Sequence, residues 1–155
     1  VALFGLLLAA AHGAKVIVTS SSDAKLARAR ALGAWKIINY KTQPAWDAAA
    51  LDITEGRGVD HILELGGPDT YDRSIAAIAP GGRIAQIGVL TGFASRPNIL
   101  PLQFKNASID GICVGSVQHF ERLNQFLSAH RIRPVIDKNF AFDDAPTAYA
   151  HLQSG

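Results

Sequence analysis

The sequence predicts a doubly wound α/β fold on a mostly parallel sheet. Short runs rich in β-branched residues alternate with helical stretches of about 10 to 15 residues, the spacing of βαβ units. The runs lack the apolar–polar alternation of a half-exposed strand, as strands covered on both faces do. Glycines close the helices and punctuate the ends of the strands.

Val1 to His12 (VALFGLLLAAAH) is apolar on almost every side and reads as a buried helix, with Gly13 where a left-handed residue would end it. Lys15 to Thr19 (KVIVT) is the first strand. Ser20, Ser21, Ser22 and Asp23 then offer N-caps for an amphipathic helix over Asp23 to Leu32, closed by Gly33. Lys36 to Tyr40 (KIINY) is the next strand, and Pro44 opens a helix reaching about Glu55, closed by Gly56 and Gly58. Val59 to Leu65 (VDHILEL) is a strand, Gly66-Gly67-Pro68 a turn, and Asp69 to Ala79 a helix. Pro80-Gly81-Gly82 reads as a turn before the strand Arg83 to Val89 (RIAQIGV). A loop with Pro97 and Pro101 follows, then a strand within Ala107 to Gly115 and a helix over Gln118 to Ala129. Pro134 to Ile136 is a short extended piece, and a last helix over Asp144 to Gln153 is capped by Asp143 or Asp144.

Composition bounds the function. The chain has 155 residues, enough to bury a core without staples. A net charge of +2 without a basic stripe argues against nucleic acid as a partner. Cys113 is the single cysteine, so no internal disulfide is possible and an oxidising compartment has no support; a cytoplasmic location is the expectation. The apolar run from Val1 to Ala11 is too short to cross a bilayer and lacks the flanks of a signal peptide. There is no Met, and the chain opens inside a helical pattern, so a fragment is expected.

In a doubly wound sheet, ligands bind outside the carboxyl ends of the strands. The positions to inspect are Ser20 to Lys25, Tyr40, Gly66 to Pro68, Gly88 to Leu90, and Gly115-Ser116. Three hydroxyls followed by Lys25 and Arg28, with no carboxylate at the strand tip, suit a ribose bearing a 2′-phosphate. An ordinary capped helix with solvated cations reads equally well. Gly66, Gly67 and Gly88 let another group approach the backbone, or simply make tight turns.

No set of residues reads as catalytic. His12, His61, His119, His130 and His151 are scattered, with no pair at metal-ligand spacing. Cys113, between Ile112 and Val114, reads as a buried inert thiol. Asp23, Asp60, Glu64 and Asp69 read as caps or strand-end charges.

The strings GAKVIVTSSSDAKLARARALGA, KIINY, GRGVDHILELGGPDT and PGGRIAQIGVL resemble the medium-chain dehydrogenase/reductase superfamily, in its zinc-type alcohol dehydrogenase and quinone oxidoreductase group. The resemblance covers nearly the whole chain and falls on the C-terminal, Rossmann-like cofactor domain. It implies an oxidoreductase moving hydride between a nicotinamide dinucleotide and an alcohol, carbonyl or activated alkene. It places Ser20, Ser21 and Lys25 at the adenosine ribose, with Ser20 where NAD-preferring members usually hold Asp. Tyr40 falls near the 2′-phosphate, and Gly66 and Gly67 beside adenine and ribose. Gly88, Val89 and Leu90 fall along the nicotinamide ribose, and Val114, Gly115 and Ser116 at the carboxamide and at an edge that often pairs subunits. The neutral Ser20 with Lys25 and Tyr40 favours NADP over NAD.

The resemblance also implies that the family's first strand and glycine-rich turn precede Val1, that a catalytic domain lies further upstream, and that a closing strand follows the glycine matching Gly155. This chain would then lack the middle strand of the order 3-2-1-4-5-6, and alone would be inactive. Zinc in that upstream domain is left open, and a homodimer or higher oligomer is expected. A zinc-independent quinone or enoyl-thioester reductase and a non-catalytic oligomeric binding module are the alternatives.

Overall fold

A computed structural model describes residues 1–94 and 96–154; Gly155, matched above to the residue before a closing strand, lies outside them. The first helix is α1 (Ala2–Ala11), followed by β1 (Ile17–Ser20), α2 (Asp23–Ala31), β2 (Lys36–Asn39) and α3 (Trp46–Ile53). The second half runs β3 (Val59–Glu64), α4 (Tyr71–Ala77), β4 (Ile78–Gln86), α5 (Leu100–Lys105), β5 (Ser108–Gly111), α6 (Val117–Ala129) and, after a 3-10 turn at Phe142–Asp144, α7 (Ala145–Ser154). Strands and helices alternate as the β-branched runs predict, and every strand pairing is parallel.

The strands form two ladders: β1 pairs with β2, and β4 lies between β3 and β5. No ladder joins β1 to β3 among the described residues. The two ladders are tied together by packing on both faces. On one face, Leu6 of α1 packs with Ala29, Ala34, Val16 and Val18, while Gly5 lies so close to Leu63 of β3 that a Cβ there would meet Leu63 Cδ1 at 2.2 Å. On the other face, Ile38, Ala50 and Ala77 are joined by Ile17 of β1, Ile62 of β3 and Trp46. The KVIVT run thus buries Val16 and Val18 on one side and Ile17 on the other, which is why it shows no period of two. A third cluster, Ile75, Ile78 and Ile84, seats α4 on β4.

Five sequence expectations are corrected. Only Leu6 of α1 is buried, because this helix lies where no strand ladder runs and its remaining apolar side chains find fewer neighbours. Pro80-Gly81-Gly82 is not a turn ahead of a strand but part of β4, which starts at Ile78 directly from α4. Its register on β3 shifts between Val59 and His61, and Pro and Gly sit at that irregularity without breaking the strand. The loop holding Pro101 contains α5, which opens with Pro in its first turn. Cys113 is exposed rather than buried, since β5 ends at Gly111 and the chain continues outward. At the last helix, a 3-10 turn through Asp143 and Asp144 leads into α7.

Candidate functional site

Within each ladder the strands are parallel, so the carboxyl ends of β1 and β2 lie side by side, as do those of β3, β4 and β5. At the first tip, Ser22 caps α2, its Oγ accepting from the Lys25 amide at 3.4 Å. Ser20 Oγ accepts from the Ser22 amide at 3.3 Å, which bends the chain from strand into helix. Tyr40 is brought to the same tip, its amide donating to the Ser20 carbonyl at 3.1 Å, and its ring is exposed. Ser20, Ser21, Lys25 and Tyr40 therefore share one corner. Sequence alone reads Asp23 there only as a cap or strand-end charge and gives Asn39 no role. Asn39 Nδ2 donates to Asp23 Oδ1 at 2.6 Å, joining the N-terminus of α2 to the tip of β2. Arg28 leaves this corner for Asp137, at 3.4 Å.

The tips of β3 and β4 form a second, tighter assembly. Gly67 has φ +97°, and a Cβ there would meet Val89 Cα at 3.0 Å. A Cβ on Gly88 would meet the Leu65 carbonyl oxygen at 2.5 Å. Two backbones cross at a spacing only glycine permits, and what approaches these glycines is the facing turn of the chain itself. Hydrogen bonds lock the crossing. The Ile87 and Gly88 amides donate to the Glu64 carbonyl at 2.9 and 3.0 Å, and the Thr91 amide donates to the Gly66 carbonyl at 2.8 Å. Thr91 Oγ1 also donates to the Gly66 carbonyl and accepts from the Asp69 amide, both at 3.1 Å. Gly66, Gly67, Gly88, Val89 and Leu90 are one unit, with Leu90 85% exposed at its rim.

Behind it sits Glu64, a buried carboxylate with 3% exposure. Oε1 accepts from the Gly66 amide at 2.8 Å, the Gly67 amide at 3.1 Å and Thr70 Oγ1 at 2.6 Å. Oε2 accepts a short bond from Ser74 Oγ. The sequence signal for this was only an acid at a strand end; the donors lie two, three, six and ten residues on, and the turn gathers them.

The third group, Val114, Gly115 and Ser116, stands apart. The Ile112 amide extends the β5 pairing to Gln86 at 2.9 Å, beyond which the backbone leaves the sheet. Val114 is 87% exposed, and Ser116 caps α6, its Oγ accepting from the His119 amide at 3.2 Å while His119 Nδ1 accepts from the Ser116 amide at 3.4 Å. Among the described residues, no three His, Cys, Asp or Glu side chains group as a metal site, and no helix is long and apolar enough to cross a membrane.

The zinc-binding dehydrogenase family model matches residues 1–129. A zinc-type alcohol dehydrogenase-like protein of Schizosaccharomyces pombe is 43% identical over 158 residues, covering 99% of this chain and 46% of the relative. A solved protein of Sinorhizobium meliloti 1021, assigned to the alcohol dehydrogenases, superposes with a TM-score of 0.92 at 44% identity over 99% of this chain and 45% of its own. A quinone oxidoreductase of Pseudomonas syringae pv. tomato DC3000 superposes with a TM-score of 0.83 at 27% identity, over 98% of this chain and 49% of its own. The chain thus spans less than half the length of these relatives.

Proposed function

The chain belongs to the zinc-binding dehydrogenase family, and from that premise we propose that residues 1–155 are the cofactor-binding part of an NAD(P)-dependent oxidoreductase. The observation that carries the reading is the pair of glycine crossings, Gly67 on Val89 and Gly88 on Leu65, at the carboxyl edge of a parallel sheet. They bring the turns after β3 and β4 into direct backbone contact, and the two together form one lip of the crevice in which such folds bind dinucleotides. Gly66, Gly67, Gly88, Val89 and Leu90 would line the ribose and ring portions, and Val114, Gly115 and Ser116 the far end. Ser20, Ser21, Lys25 and Tyr40 would face the adenosine ribose; their hydroxyls and cation favour NADP over NAD.

When bound, the dinucleotide supplies or takes the hydride, passed to or from an alcohol, carbonyl or activated alkene; this chain's residues bind and orient it. The groups that touch the substrate, and any zinc, would belong to the portion of the relatives that this chain does not span. Quinone or enoyl-thioester reduction without zinc is the second reading, supported by the likeness to the Pseudomonas quinone oxidoreductase.

Titration of the chain with NADPH and NADH, followed by nicotinamide fluorescence, tests the proposal. Saturable binding with NADPH the tighter ligand is expected. No binding of either nucleotide at millimolar concentration overturns it.

A further inference from the structure

We infer that Glu64 is a positioning residue of the cofactor crevice, its buried carboxylate fixing the glycine turn that forms one lip; this rests on the dinucleotide reading above. Four donors converge on its two oxygens, from Gly66, Gly67, Thr70 and Ser74. Ser74 is itself only 1% exposed, so the clamp is anchored in the interior of α4. Both turn amides point inward to the carboxylate and are satisfied there.

The same residue reaches the opposite lip through its backbone, since the Glu64 carbonyl receives the Ile87 and Gly88 amides. Side chain and main chain of one residue therefore hold both halves of the glycine crossing in register. Without the side-chain acceptor, the Gly66 and Gly67 amides and the Thr70 and Ser74 hydroxyls lose a buried partner together. The turn is then free to open, and the close approach of Gly67 to Val89 is no longer enforced.

Three variants separate this from general stabilisation. E64Q keeps an acceptor oxygen at the same reach, E64D keeps the charge but withdraws it by a methylene, and E64A removes both. Cofactor affinity is measured by NADPH fluorescence well below each variant's melting temperature. Amide hydrogen exchange is followed at Gly66, Gly67, Leu90 and Thr91, with Ile84 and Val18 as fold references. We expect E64Q to bind within about threefold of the parent, and E64D and E64A to bind about tenfold or more weakly. Protection at Gly66 and Gly67 should fall with affinity while Ile84 and Val18 stay protected.

Unprotected Gly66 and Gly67 amides in the parent overturn the inference. So does a folded E64D or E64A that binds NADPH as tightly as the parent; either result leaves the cofactor reading standing. A parent chain that binds neither nucleotide overturns the cofactor reading, and the positioning role with it.

Discussion

Glu64 and Lys105 carry charges that the fold draws inward to satisfy backbone groups. Lys105 Nζ donates to three carbonyls, those of Ile75 at 3.1 Å, Ala76 at 2.7 Å and Ile78 at 2.8 Å. It closes the end of α4, where the chain passes straight into β4 and leaves no room for a glycine cap. Burial holds its amine below the usual lysine range. Lys105→Met keeps the stem and removes the donors, and is expected to cost about 1–3 kcal/mol in urea unfolding. At Gly88, even alanine would press on the Leu65 carbonyl. Gly88→Ala is expected to destabilise the chain by about 1–3 kcal/mol and to weaken NADPH binding, both read by thermal shift with and without nucleotide. Ser20→Asp places a carboxylate where the first tip offers a hydroxyl, and should move the NADPH/NADH affinity ratio about tenfold or more toward NADH. An unchanged ratio would remove Ser20 from the ribose site. Glu64 shows what a linear reading misses: charge at a strand end is visible in the string VDHILEL, but the convergence of its donors exists only once the turn has folded.

At the scale of elements, the legible features were those with strong local chemistry. The β-branched runs located every strand, and Ser22 was among the named caps. What escaped depended on context. Pro80-Gly81-Gly82 has turn composition yet lies in β4, because α4 delivers the chain directly onto the sheet at Ile78, which is fully buried. The exposed Cys113 follows from β5 stopping at Gly111, and Ile112 and Val114 gave no local sign of that. The attachment of α7 is likewise a long-range matter. Asp137 accepts from His151 of α7 at 2.8 Å and pairs with Arg28 of α2 at 3.4 Å. The His151 bond, then Arg28, hold the Asp137 carboxyl below its ordinary value of 3.8. A carboxylate whose folded value is depressed contributes stability above its unfolded value and loses it as pH falls through the folded one. Asp137→Asn is therefore expected to loosen α7 near neutral pH and to converge on the parent as pH falls from 3.8 through the depressed folded value. Histidine NMR shifts of His151 across that range would check this.

At the scale of the molecule, the two ladders are not equivalent. The three-stranded ladder is backed by the cluster of Ile75, Ile78 and Ile84 between α4 and β4, each at most 1% exposed, whereas β1 and β2 form a two-stranded ribbon held by helices. Two-stranded ribbons are marginal alone. Amides of β4 are accordingly expected to exchange most slowly, and those of β1 and β2 to open first under mild denaturant. Uniform exchange across both ladders would contradict that ranking. The indole of Trp46 lies in the cluster that Ile17 and Ile38 of one ladder share with Ile62 and Ala77 beside the other. Trp35, by contrast, is 37% exposed, with the Lys15 and Lys36 ammonium groups about its ring at 5.0 and 5.6 Å. The chain thereby holds two built-in chromophores with separate duties: as the ladders part, Trp46 emission shifts to the red, while Trp35 reports only on the solvent and ions around its lysines.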